Sequence, residues 1–211
     1  QREALWAWGC GTARFLIAFV LLFSGMVKAV DPRGTAYKLE EYLEYLGWNV
    51  LAHNDYLMLG GSILLCSTEF VLGIYWFWGI RRRFTSIFTL FLFACFLLVS
   101  IFVVIVHPVS DCGCFGDAVR LTDEQTLMKN ILLCSCAVLL FFRRKQVTSL
   151  LPQSWHWLVS LYSMVFIVGF SLLSVRNLPM MDFRPYRIGT NIRQAMEILP
   201  VAPLPEYETT F

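Results

Sequence analysis

The residue types best suited to chemistry lie together in Asp111-Cys112-Gly113-Cys114-Phe115-Gly116-Asp117, just past His107-Pro108. Two cysteines one residue apart, between acids and glycines, are poor packing material and suit thiol–disulfide exchange or metal capture. A bridge between such neighbours closes a small, strained ring, and strain makes a disulfide easier to reduce, as an exchange site requires. Gly113 gives the backbone the freedom to close that ring. Asp111 and Asp117 work against a thiolate, and a protonated His107 works for it. Three readings of the loop stand at this point. One is a redox dithiol. The second is a metal site built from His107, Asp111, Cys112, Cys114 and Asp117, soft enough for zinc or copper but without a common zinc spacing. The third is a tight turn whose thiols do nothing.

A second constellation is charge inside apolar sequence. At about 1.5 Å per helical residue, Glu69 stands roughly 18 Å from Arg81, and Lys28 roughly 21 Å from Arg14. The two depths agree, so Lys28 and Glu69 are expected to pair across the first and second spans, because an unpaired charge near a bilayer centre is costly. The alternative is a snorkelling Lys28 and a protonated Glu69. Lys129, beside Asn130 about one turn into the fourth span, can stabilise a thiolate or a quinone oxygen, although snorkelling explains it equally. His53 and His156 read as surface residues. Cys66, Cys95, Cys134 and Cys136 read as small hydrophobes within apolar runs. Cys134 and Cys136 point away from each other on a helix and cannot bridge.

The elements that position these groups are membrane helices. Of 211 residues 57% are apolar and 15% charged, and the mean hydropathy is +0.62; an ordinary soluble domain is excluded. The net charge of +2 says little and its placement says more; the expected partners are membrane lipid and an extracytoplasmic protein or envelope complex, with no nucleic acid. Spans are predicted from Ala13 to about Val30, Tyr56 to about Ile80, Phe84 to about Val106, Thr122 to Phe142 and Trp155 to about Val175, each long enough to cross about 30 Å. Asp31-Pro32-Arg33-Gly34 is read as the break after the first span. Thr35 to about Trp48 then reads as a short helix on the membrane surface. Asn54-Asp55 and Thr122-Asp123-Glu124-Gln125 have the form of helix caps. Gly60-Gly61 with Gly73 suggests close helix packing. The first span lacks a cleavage site and reads as a retained helix.

Arg81-Arg82-Arg83 and Arg143-Arg144-Lys145 fall in the two shortest connections, which by the positive-inside bias face the cytoplasm together with the amino terminus, Arg2 and Arg14. The cysteine loop and the tail from Arg176, which holds five of the eight prolines, then face outward. The expected location is a bacterial cytoplasmic membrane, with the loop on its oxidising side.

Phe23-Ser24-Gly25-Met26-Val27-Lys28, Glu69 and Cys112-Gly113-Cys114-Phe115-Gly116-Asp117 together resemble the DoxX/MauE-type membrane proteins. The resemblance covers residues 13 to about 142. It implies a four-helix bundle similar to quinone-linked, disulfide-forming membrane proteins, with Cys112 and Cys114 as the active pair and Lys28 and Glu69 as buried polar residues. It further implies a partner enzyme whose disulfides form outside the membrane. The chain departs from that pattern by its fifth span and its tail, 177–211. The tail looks like a subgroup that continues into a thioredoxin-like domain, so a longer native chain is expected.

The expected architecture is therefore an all-α membrane protein: a four-helix bundle over 13–142, a fifth helix over 152–176 and an extended outward tail. The expected function is exchange of disulfides with an extracytoplasmic partner through Cys112 and Cys114, with a quinone as acceptor. A non-catalytic membrane subunit anchoring an envelope complex is the alternative from another class, and a metal-handling loop is the third.

Overall fold

The computed structural model describes residues 2–106 and 121–177, with side chains from Trp8 onward. Among these residues the chain forms seven α-helices and no strand: α1 (Arg2–Val30), α2 (Pro32–Tyr45), α3 (Asn49–Ala52), α4 (Asp55–Trp78), α5 (Arg82–Val106), α6 (Asp123–Arg143) and α7 (His156–Arg176), with 3₁₀ turns at Arg144–Gln146 and Gln153–Trp155. Five stretches are long and apolar enough to cross a membrane: Trp8–Val30, Asp55–Trp78, Arg82–Val106, Asp123–Gln146 and Gln153–Arg176. The molecule is a multi-pass, all-α membrane protein. The cysteine loop from His107 to Asp117 and the tail from residue 178 lie outside the described residues.

The helix boundaries follow local chemistry. Asn54 caps α4 through its side chain, which accepts from Leu57 N at 3.1 Å. Thr122 and Gln125 form a reciprocal capping box at the start of α6. Gly79 ends α4 in the left-handed region at φ 75°, where a side chain would be strained. The break after the first span is shorter than expected. It is Asp31 alone, whose carboxylate accepts from Gly34 N at 3.0 Å, and Pro32 already opens α2. Proline at the first helical position has no amide to leave unsatisfied and has its φ preset, so here it starts a helix instead of ending one.

α2 is docked as well as amphipathic. Its first turn is buried at Pro32, Thr35 and Ala36, and Ser62 of α4 donates to the Pro32 carbonyl at 2.7 Å. Its far end meets α5 through Tyr45 and Phe102, rings 5.6 Å apart. Tyr37 and Tyr45 remain exposed, as residues of an interfacial belt do.

The tightest packing joins α1 and α4. A Cβ on Gly25 would lie 2.7 Å from Phe70 N, and one on Gly73 would lie 2.8 Å from Leu22 N. Each glycine thus lets the partner helix's backbone approach. Gly60 and Gly61 do not serve this purpose, contrary to expectation. A Cβ on Gly60 would meet nothing within 4 Å, and one on Gly61 only Leu39 Cδ1 of α2 at 3.7 Å. α5 and α6 pack side by side against this pair, around Ile17, Leu21, Trp76, Phe93, Leu133 and Leu140. Trp76 Nε1 donates to Thr89 Oγ1 at 2.8 Å and ties α4 to α5. α7 lies against α1 and α4, where Ile167 joins Ala29 and Cys66 and Phe166 meets Phe70 at 5.8 Å. Large apolar residues such as Phe91, Leu98 and Ile105 of α5 are left exposed, which a helix tolerates when lipid covers it.

Candidate functional site

The core of the bundle holds the Lys28–Glu69 pair. Lys28 Nζ lies 2.8 Å and 2.9 Å from the two Glu69 carboxylate oxygens and donates to Ser24 Oγ at 2.6 Å. Both charged side chains are buried, 4% and 0% exposed. Side chains lean toward the amino end of their own helix. On the antiparallel α1 and α4 those leans oppose each other, so Lys28 and Glu69 converge, and Lys28 also reaches its own i−4 neighbour Ser24. The ammonium has three N–H groups and three acceptors here, as burial requires.

The pair belongs to a seam across four helices. Lys28 Nζ stands over the Phe96 ring of α5, 5.9 Å from its centroid. Asn130 of α6, 2% exposed, donates to the Phe96 backbone carbonyl at 3.2 Å. From Lys28 the seam runs to Glu69 on α4 and by way of Phe96 to Asn130 on α6. Lys129, also predicted as a site residue, is half-buried in the second turn of α6. The remaining predicted site residues (His107, Asp111, Cys112, Cys114 and Asp117) lie outside the described residues. Among the described residues Cys10, Cys66, Cys95, Cys134 and Cys136 are free thiols, and no group of His, Cys, Asp and Glu there suits a metal ion.

Arg14 is a polar residue that sequence reasoning read only as an orientation marker. It is buried, 5% exposed, and its guanidinium donates to three carbonyls: Trp76 O at 2.7 Å, Phe77 O at 2.8 Å and Thr148 O at 2.9 Å. The first two belong to the last turn of α4, whose carbonyls have no helical partner and carry the negative end of the helix dipole. The third belongs to the link between α6 and α7, which Leu150 N also ties to Trp78 O at 2.9 Å. Arg14 therefore splices three segments at the end opposite to α2. The signal that finds it is the rule already applied to Lys28, that an ionisable residue within an apolar span has a purpose.

No curated protein and no solved structure gives a match. The family described as Methylamine utilisation protein MauE matches residues 6–143, a stretch that contains α4, α5 and α6 whole, nearly all of α1, and the entire Lys28–Glu69–Phe96–Asn130 seam. The chain is thus a member of the MauE family of membrane proteins of methylamine utilisation.

Proposed function

We propose that the protein exchanges disulfides with a partner protein at the outer face of the membrane, through Cys112 and Cys114. The observation that carries the reading is the buried seam. An ion pair in the core costs desolvation to bury, so its presence favours a role beyond anchoring a complex. Here Lys28 of that pair stands over the Phe96 ring of α5, Asn130 of α6 bonds to the Phe96 carbonyl, and Cys112-Gly113-Cys114 belongs to the connection between those two helices. A dithiol that must meet a partner repeatedly gains from rigid stems.

A partner thiolate attacks one sulfur of the bridged pair, the S–S bond breaks, and a mixed disulfide forms while the other cysteine leaves as thiolate. The second partner thiol attacks the mixed disulfide, so the partner becomes oxidised and Cys112 and Cys114 take up two electrons and two protons. Restoring the bridge passes both to an acceptor, for which a bilayer-dissolved quinone, giving the quinol, is the class we propose. Lys129 is the supporting cation on the α6 side. The amino terminus and the basic connections lie in the cytoplasm on this reading.

The test uses the full chain in membranes and mass-tagging of thiols. Cys112 and Cys114 should cycle between tagged and protected forms with added reductant and quinone. A Cys112→Ser/Cys114→Ser chain should lose disulfide formation in the partner. Unchanged partner oxidation by that double variant overturns the reading and leaves a non-catalytic subunit, which predicts co-purification with its complex.

A further inference from the structure

A strongly charged cleft lies at the end of the bundle opposite to α2. Its volume is about 770 Å³, and it is lined by Arg81, Arg82, Arg83, Phe84, Ile87, Arg144 and Lys145. Five of those seven are cations and none is an acid. Among the described residues no carboxylate pairs with Arg81, Arg83, Arg144 or Lys145. Arg82 is held in place, since its guanidinium donates to the Val147 carbonyl, and Arg144 lies over the Phe141 ring at 5.2 Å. The cluster is assembled from two separate connections, the one entering α5 and the one leaving α6.

Beneath the cations runs an apolar stripe. Phe84, Ile87, Phe88 and Phe91 are exposed at 47%, 45%, 45% and 68%, and their spacing places them on one face of α5. The Phe84 and Phe88 rings meet in a tilted arrangement, centroids 4.2 Å apart. An anion site with a greasy trail along a membrane helix has the shape of an amphiphile with a charged head and apolar tails. We propose that this cleft holds the phosphate headgroup of an anionic phospholipid, with the acyl chains lying along the stripe from Phe84 to Phe91. Basic clusters next to membrane helices attract anionic lipid, and arginine matches phosphate with a paired-donor fork.

The test is native mass spectrometry of the full chain in non-ionic detergent, titrated separately with cardiolipin, phosphatidylglycerol, phosphatidylcholine and inorganic phosphate. A discrete adduct should form with both anionic lipids and at least about tenfold more weakly with phosphatidylcholine, and the preference should fall as salt rises from about 0.1 M to 1 M, where screening shortens from about 10 Å to 3 Å. Arg81→Gln/Arg83→Gln/Lys145→Gln spares the structural Arg82 and should weaken the anionic adduct on the order of a hundredfold. Phe84→Ala/Ile87→Ala keeps the charges and should weaken lipid severalfold. Equal binding of phosphatidylcholine, a salt-independent preference in the unaltered chain, or full binding by the triple variant overturns the proposal. Displacement of lipid by inorganic phosphate at equal concentration overturns it too, and makes the cleft a site for a free anion.

Discussion

Two cations are buried on α1, and the fold neutralises them in opposite ways. Lys28 meets a carboxylate and a hydroxyl, all side-chain groups. Arg14 meets three backbone carbonyls from two segments. A backbone acceptor cannot be mutated away or protonated, so the Arg14 knot is a fixed splice. The Lys28 pair depends on one other residue, Glu69. Its removal leaves an ammonium stranded among apolar helices. Family membership extends over both residues, yet only the Lys28 site connects through Phe96 and Asn130 to the helices that flank the cysteine motif.

The largest effect expected from breaking this contrast is at Glu69. Glu69→Ala should cost about 3–5 kcal/mol of stability, because Lys28 stays buried without its counter-charge. Removing both charges with Lys28→Met/Glu69→Leu should recover most of that, as well-packed apolar replacements of a buried pair do. Unfolding in bicelles under denaturant reads both. A double variant as unstable as Glu69→Ala would mean that lost packing, not a stranded charge, sets the cost. Partner oxidation should nevertheless fall in the recovered double variant if the seam positions the stems of the motif.

Arg14→Lys is the next step down. A lysine keeps the charge but cannot fork between Trp76, Phe77 and Thr148, so about 2–3 kcal/mol should be lost. The loss should be local: amide exchange at Gly79, Ile80 and Leu150, whose N–H groups bond within this knot, should quicken more than exchange in the middle of α4. Uniform quickening along α4 would show that Arg14 supports the whole bundle and not its end.

The same contrast explains what the sequence could reveal. Lys28 and Glu69 were findable because both partners are side chains, and matching depths on adjacent spans singled them out. The caps at Asn54 and Thr122–Gln125 were findable for the same reason, since a cap is a side chain at a fixed offset. Arg14 gave its charge but not its role, because carbonyls of Trp76, Phe77 and Thr148 have no letter of their own. The Asn130–Phe96 carbonyl bond was hidden likewise. Pro32 was misread since proline signals both the end of one helix and the start of the next, and only Asp31's bond to Gly34 N decides between them. Four of the five spans were legible to within two residues, because composition and length define a membrane helix; the first helix begins at Arg2, eleven residues before the expected Ala13, since a helix can run on past its apolar stretch.

Glycines give the smallest effects and the sharpest check on the α1–α4 contact that brings Lys28 to Glu69. Gly73→Ala would place a methyl 2.8 Å from Leu22 N and 3.1 Å from Ala18 O. Backbone cannot swing aside as a side chain can, so the helices must part, at about 1–2 kcal/mol. Gly60→Ala faces open space and removes only the chain entropy of glycine in a helix, so it should stabilise by about 0.5–1 kcal/mol. The two substitutions are chemically identical and lie on one helix, so their opposite signs isolate the approach of α1. Gly73→Ala should also weaken the pair itself, read as a smaller additional penalty when Glu69→Ala is made in the same chain. If the penalties simply add, the close approach and the ion pair are independent features of the bundle.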